Sequence, residues 1–165
     1  MKVLNHELCG RFYFEEDQCV WRQDQKIIVF DKEFEAVIDI LEYDEESEQV
    51  VEFAEDVKGH FQDEQVEALL KFYENKNEII SKLETAIFEY YQNNRNMYDA
   101  PIIKDKNELG CFLTDMGIFI AEKEQAGFRK LGITFECSWD PGHGLGILLK
   151  NEEIVAVGTI DDAIV

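Results

Sequence analysis

The fold is decided by residues 63–91, DEQVEALLKFYENKNEIISKLETAIFEYY, where apolar residues recur with the spacing of an α-helix. In the first half they fall at i, i+3, i+4 and i+7, at Val66, Leu69, Leu70 and Tyr73. The same spacing continues through Ile79, Ile80, Leu83, Ala86, Ile87, Tyr90 and Tyr91. Residues 75–77 interrupt the pattern, and Asn77 is placed to cap the second helix. The stretch therefore predicts two antiparallel helices joined by a short turn.

Sequence with β character flanks this helical stretch on both sides. Before it, aromatic and β-branched residues predict strands at 11–14, 19–21, 26–30 and 34–40. After it, similar runs predict strands at 116–121, 128–138, 145–150 and 154–158, with a two-residue hairpin turn at Asn151 and Glu152. This order predicts an α+β fold in a single domain over residues 1–165. We expect an antiparallel sheet made of an N-terminal and a C-terminal meander, with the central pair of helices packed on one face.

The charge of the chain is its strongest compositional feature. Acidic residues number 36 against 16 basic ones, which gives a formal net charge of −20. Such a field repels nucleic acid and anionic lipid surfaces, and it attracts a basic protein or a cation. High charge also keeps a protein soluble without any specific partner. We therefore expect no nucleic acid and no membrane among its partners.

The first ten residues, MKVLNHELCG, lack the apolar stretch of a secretion signal. The four cysteines, at Cys9, Cys19, Cys111 and Cys137, show no C-x-x-C spacing and are most simply reduced thiols. Together these features predict a cytoplasmic protein.

A second motif lies near the C-terminus, where Trp139, Asp140 and His143 surround a predicted turn. Pro141 fixes φ at the second turn position and Gly142 accepts a positive φ at the third, so the residues predict a type II turn. Turn formation alone explains these residue types. As alternatives, Asp140 and His143 form an acid–base pair that orients a Cys137 nucleophile, or Trp139, Asp140 and His143 bind a ligand.

Metal binding has only weak support in the sequence. His6 and Cys9 have the spacing of zinc ligands, but no second pair matches them. The acidic residues Asp39, Asp44, Glu45, Glu46 and Glu48 are a candidate calcium site, although the glycine of a calcium-binding loop is missing. A solvated acidic face explains them much better, so we predict no metal and no cofactor.

Aromatic residues gather in and after the helices, at Tyr73, Phe88, Tyr90, Tyr91 and Tyr98. Packing in the core is the simplest interpretation. The alternative is an exposed aromatic patch that contacts a protein partner, because tyrosine is enriched at interface hot spots.

Two stretches resemble bacterial families of unknown function. Residues 135–146, FECSWDPGHGLG, and the later VAVG at 155–158 are similar to families that end in a W-D-x-x-H-G-L-G hairpin and a V-x-V-G strand. Residues 63–91 are similar to the middle of the same proteins. The resemblance implies a cytosolic protein, loosely related to toxin-immunity proteins, and it implies no catalytic residues.

The sequence thus favours a non-catalytic, protein-binding module, of an immunity-like kind, that binds a basic partner. Its candidate binding residues are Trp139, Asp140 and His143 in the turn, and Asp44, Glu45 and Glu46 in the acidic connector between strands and helices. Two alternatives stay open. One is a small enzyme or ligand-binding protein that uses Asp140 and His143, and the other is a binder of divalent cations.

Overall fold

The computed structural model describes residues 2–42, 61–121 and 128–164 and arranges their strands in one eight-stranded sheet. The strands are β1 (Val3–His6), β2 (Gly10–Glu15), β3 (Val20–Val29), β4 (Lys32–Leu41), β5 (Leu113–Ile120), β6 (Lys130–Cys137), β7 (Leu145–Lys150) and β8 (Glu153–Gly158). They lie in the sheet in the order of the chain. The helices are α1 (Asp63–Glu74), α2 (Lys76–Asn94) and α3 (Ile160–Ala163), and a 3₁₀ helix spans Lys106–Phe112.

The sheet is mixed, so the predicted antiparallel sheet of two meanders with a central helix pair is wrong. β4 and β5 are parallel, with Val37 opposite Gly117 and Ile40 opposite Ile120. The other neighbouring pairs are antiparallel. The chain that leaves β4 passes through α1 and α2 before it enters β5, and a parallel pair requires a crossover connection of this kind. The crossover joins the two predicted meanders into one sheet.

Helices cover both faces of the sheet rather than one. On the first face, Phe72 of α1 lies beside Leu131 of β6 and Leu149 of β7. On the opposite face, α3 packs directly on Gly132 and Gly146, where a methyl group would collide with its backbone. Because α3 is only four residues long, the hydrophobic pattern of the sequence did not reveal it.

The two central helices form where the periodicity predicts them, with differences in detail. Leu69 is fully buried as expected, but Phe72 is more deeply buried than the predicted Tyr73. The cap of α2 is Asn75 and not Asn77, because Asn75 is the only residue between the helices. Within the described ranges, no helix is long and apolar enough to cross a bilayer.

The β3–β4 and β7–β8 hairpins each turn through two residues with positive φ. Phe30 and Asp31 have φ values of 52° and 59°, and Asn151 and Glu152 have 47° and 66°. Two successive left-handed residues define the type I′ turn that suits the twist of a hairpin. The predicted two-residue turn at 151–152 is therefore confirmed.

The N-terminal strands differ from the prediction, because two predicted strands form one continuous strand with a buried polar residue at its centre. The predicted strands at 19–21 and 26–30 are parts of the single strand β3, whose centre contains Gln23. Gln23 is 6% exposed, and its amide donates to the carbonyl oxygens of Cys9 at 2.7 Å and Arg11 at 3.2 Å. The Tyr73 hydroxyl donates to its Oε1 at 2.7 Å. These bonds satisfy a polar side chain that is costly to bury without partners, and they tie β3 to the β1–β2 hairpin and to α1.

Candidate functional site

The turn between β6 and β7 is a tight helical turn rather than the predicted type II turn. The carbonyl oxygen of Asp140 accepts hydrogen bonds from the backbone N–H groups of His143 at 3.3 Å and Gly144 at 2.9 Å. The left-handed residue is Gly144, with a φ of 67°, and Gly142 does not adopt a positive φ. The type II assignment was wrong because the turn continues one residue further, and Gly144 is the residue that closes it.

The side chains of Asp140 and His143 contact each other within this turn. His143 Nδ1 lies 3.0 Å from Asp140 Oδ1, and the two side chains are 69% and 13% exposed. The backbone carbonyl of His143 accepts from the N–H of Ile160 at 3.0 Å, which fastens the turn to the start of α3. The pair has the geometry of an acid–base couple, and it also stabilises the turn.

Cys137 does not supply a reactive thiolate to this pair. Its side chain is buried, and burial raises the pKa of the thiol to about 11. The sulfur lies 3.8 Å from the backbone oxygen of Asp140. A thiol with this pKa is protonated at neutral pH and is a poor nucleophile.

Trp139 places the turn against the aromatic residues of α2. Its ring lies 5.1 Å from that of Tyr91 in an edge-to-face arrangement, and Tyr91 in turn stacks on Phe112 at 6.4 Å. Tyr91 is buried, and its hydroxyl donates to the carbonyl oxygen of Pro101 at 2.6 Å. Tyr91 therefore contacts both the turn and the segment that follows α2.

Tyr90, the neighbour of Tyr91, is half-buried. Burial, a hydrogen bond with Tyr98 and the charge of Asp140 raise the pKa of Tyr90 to about 12. The predicted aromatic group is therefore divided: Tyr91 belongs to the core, while Tyr90 and Tyr98 are half-buried. Met97 and Ile102, in the segment that follows α2, are 73% and 70% exposed, and no sequence pattern predicted this.

The residues proposed for metal binding have other partners where the structure describes them. His6 Nδ1 accepts from the backbone N–H groups of Leu8 and Cys9, each at 3.0 Å, so its lone pair is engaged. Asp39 accepts two bonds from Arg22, at 2.7 and 2.9 Å. Among residues 2–42, 61–121 and 128–164, no three potential ligands come close enough to share an ion. Asp44, Glu45, Glu46 and Glu48 lie outside the described residues.

Several basic side chains of the described residues pair with carboxylates of the same chain. Three of them contact two carboxylates each: Arg22 pairs with Glu15 and Asp39, Lys82 with Glu78 and Glu153, and Arg129 with Glu67 and Glu152. Lys26, Lys71 and Lys106 pair with Glu33, Glu74 and Glu84. Because carboxylates outnumber cations by more than two to one, this pairing leaves a large negative excess at the surface.

A groove of about 310 Å³ lies at the other end of α2, away from the turn. Its lining includes Lys26, Ile28, Lys76 and Glu84. The Glu84 carboxylate already accepts from the backbone N–H of Phe30 at 2.6 Å and contacts Lys106 at 3.4 Å. The groove therefore does not extend the candidate site around Asp140 and His143.

Comparison with known proteins gives one family match. No curated protein and no solved structure matches the chain significantly. The model of the domain of unknown function DUF6985 matches residues 10–164, which include every described strand except β1, both long helices and the Asp140–His143 turn. The chain therefore belongs to the DUF6985 family of domains of unknown function.

Proposed function

We propose that this domain is a non-catalytic binding module for a basic protein, of the kind found in immunity-like proteins. The observation that carries the proposal is the uncompensated negative charge. The net charge is −20, and three of the basic side chains, Arg22, Lys82 and Arg129, are each already paired with two carboxylates of the same chain. A basic partner would gain from this field in both association rate and orientation.

The chemistry of the turn supports a binding role over a catalytic one. The Cys137 thiol is buried and protonated at neutral pH, because its pKa is raised to about 11. Asp140 and His143 hold the turn and its contact with α3 through their backbone groups. Each of these residues has a structural role that accounts for its position.

Affinity capture tests the proposal. The full domain is immobilised, exposed to lysate of its native host at low and high salt, and the retained proteins are identified by mass spectrometry. We expect a specific basic protein that is retained at low salt and released at high salt, because salt screens exposed charges. Retention that is indifferent to salt, or no retained basic protein, contradicts the proposal.

A pair of charge-matched variants tests the contribution of the acidic connector. Glu45→Gln/Glu46→Gln removes two charges from the connector, and Glu33→Gln/Glu35→Gln removes two from exposed positions of β4. If the connector contacts the partner, the first variant retains less partner than the second. Equal losses indicate that the connector contributes only to the overall field.

A second candidate function is a small enzyme or ligand-binding protein that uses the turn. The observation that favours it is the 3.0 Å contact between His143 Nδ1 and a largely buried Asp140 carboxylate, with the His143 ring exposed to solvent. We then expect His143→Ala to abolish the binding of a ligand, or an enzymatic activity, while the free energy of unfolding stays nearly constant. If the variant loses stability but no ligand binding and no activity, the Asp140–His143 pair has only a structural role.

A further inference from the structure

The groove beside the first turns of α2 combines apolar and charged side chains from two parts of the fold. Its volume of about 310 Å³ falls at the lower end of the range of small-molecule sites. Ile28 of β3 and Ile80 of α2 supply apolar surface, and Lys26 and Lys76 supply positive charge. Ile28 is 62% exposed, so a ligand that covers it gains hydrophobic contact. We name this space, between the end of the β3–β4 hairpin and α2, the hairpin groove.

The two walls of the hairpin groove are joined by hydrogen bonds. The N–H of Phe30, in the turn of the hairpin, donates to Oε2 of Glu84 in α2 at 2.6 Å. The other carboxylate oxygen of Glu84 lies 3.4 Å from Lys106 Nζ. Phe30 itself is buried, which anchors the turn in the core. The groove is therefore formed before any ligand binds, and binding carries no large ordering cost.

One positive charge in the hairpin groove has no partner. Lys26 lies 3.8 Å from Glu33, and Glu84 pairs with Lys106, so these charges offset each other. Lys76 is half-buried, and no carboxylate of residues 2–42, 61–121 and 128–164 forms an ion pair with it. This is unusual in a chain with 36 acidic residues and 16 basic ones. An anion in the groove would supply the partner that Lys76 lacks.

The first turn of α2 adds to the positive charge beside Lys76. The N-terminus of a helix has a partial positive charge, and the side chain of Asn75 does not cap it. The amide of Asn75 instead donates to the carbonyl oxygen of Lys71 at 3.0 Å. Glu78, the acidic residue of this turn, lies 3.3 Å from Lys82 and does not line the groove. Exposed charges beyond about 8 Å are largely screened at physiological salt, so the negative field of the whole protein does not prevent an anion from binding here.

We propose that the hairpin groove binds a monocarboxylate with a short apolar chain, which is either a free carboxylic acid or the C-terminal residue of a peptide. This site is separate from the proposed contact with a basic protein and does not depend on it. The carboxylate accepts from Lys76 Nζ, and the apolar chain covers Ile28 and Ile80. A phosphate fits less well, because Glu33 and Glu84 also line the groove and repel a second negative charge.

A titration followed by ¹H–¹⁵N NMR tests the site with hexanoate as the probe. Hexanamide has the same shape without the charge, and acetate has the charge without the chain. We expect saturable shifts of the amide signals of residues 26–33 and 76–84, with hexanoate bound about tenfold more tightly than either control, since each control lacks one of the two contacts. Shifts that centre on another part of the protein overturn the proposal.

A second pair of probes distinguishes the two sources of the carboxylate. Acetyl-leucine represents the C-terminus of a peptide, and acetyl-leucine amide is its neutral control. Tighter binding of acetyl-leucine than of hexanoate identifies a peptide C-terminus as the ligand, and the reverse order identifies a free acid. If neither carboxylate binds more tightly than its amide, the proposal is wrong.

Matched variants assign the binding to the named side chains. Lys76→Gln and Lys104→Gln remove the same charge, but Lys104 is exposed and does not line the groove. We expect only Lys76→Gln to weaken the binding of hexanoate, by about tenfold. Ile28→Thr should also weaken it, whereas Val155→Thr, at an exposed β-branched residue of β8, should not. Equal effects of each variant and its control overturn the proposal.

Discussion

His6, Cys137 and Asp140 are the single residues whose chemistry the sequence made conspicuous, and each contacts the backbone of its own turn. His6 Nδ1 accepts two backbone N–H groups, Cys137 contacts the Asp140 carbonyl oxygen, and that oxygen accepts from two N–H groups. The same residue types serve in turns and in catalytic sites, so the sequence alone could not separate the two roles. The positions and the proximity of Asp140 and His143 were nevertheless predictable, because the pair lies within one short turn.

The buried thiol of Cys137 predicts a loss of stability at alkaline pH. Burial raises the pKa of this thiol from its ordinary value of 9.0 to about 11 in the folded protein. Between these values the unfolded chain releases the proton while the folded protein keeps it, so rising pH favours unfolding. The two-unit difference corresponds to at most about 3 kcal/mol of stability lost between pH 9 and pH 11.

Denaturant unfolding at pH 8, 9, 10 and 11 measures this effect. We expect the stability of Cys137→Ala to fall less steeply with pH than that of the wild type. Cys111→Ala is the control, because Cys111 is exposed, and its slope should match the wild type. Identical slopes for all three proteins contradict the assigned burial of Cys137.

At the scale of secondary-structure elements, local sequence patterns correctly predicted the segments that form through local interactions. The helical spacing in 63–91 and the turn residues at 151–152 act through neighbouring backbone, and both appear in the structure. The parallel pairing of β4 with β5 depends on the path of the chain through two helices, which no strand pattern records. The position of the short helix α3 depends on its packing against Gly132 of β6 and Gly146 of β7, so it is also determined by tertiary structure.

The docking of α3 gives the prediction that belongs to this scale. A methyl group at Gly146 would collide with the carbonyl oxygen of Thr159 and with the side chain of Ala163. We expect Gly146→Ala to lower the free energy of unfolding by about 1 to 3 kcal/mol, as overpacking does. Gly142→Ala is the control, because no atom lies within 4 Å of its added methyl group, and it should change stability by less than about 0.5 kcal/mol.

Urea unfolding of Gly146→Ala, Gly142→Ala and the wild type measures these differences in the free energy of unfolding. If Gly146→Ala is as stable as Gly142→Ala, α3 does not pack on the sheet as the structure places it.

At the scale of the whole molecule, the residues around the Asp140–His143 turn and after α2 were only partly predictable from the sequence. Trp139 and Asp140 belong to a recognisable motif, and Tyr90 and Tyr98 stand out by residue type. Met97 and Ile102 were missed because they lie outside any periodic pattern, and their exposure follows from how the segment after α2 packs on Tyr91. The net charge, by contrast, is fixed by composition alone, and it carries most of the functional argument.

The central claim is that this charge recruits a basic partner, and the dependence of the association rate on salt tests it most directly. The rate constant of the wild-type domain with its captured partner is measured by stopped-flow fluorescence from low to high ionic strength. Electrostatic steering predicts a fall of at least about tenfold over this range. A rate constant that stays constant with ionic strength would contradict the account, because the charge would then have no part in binding.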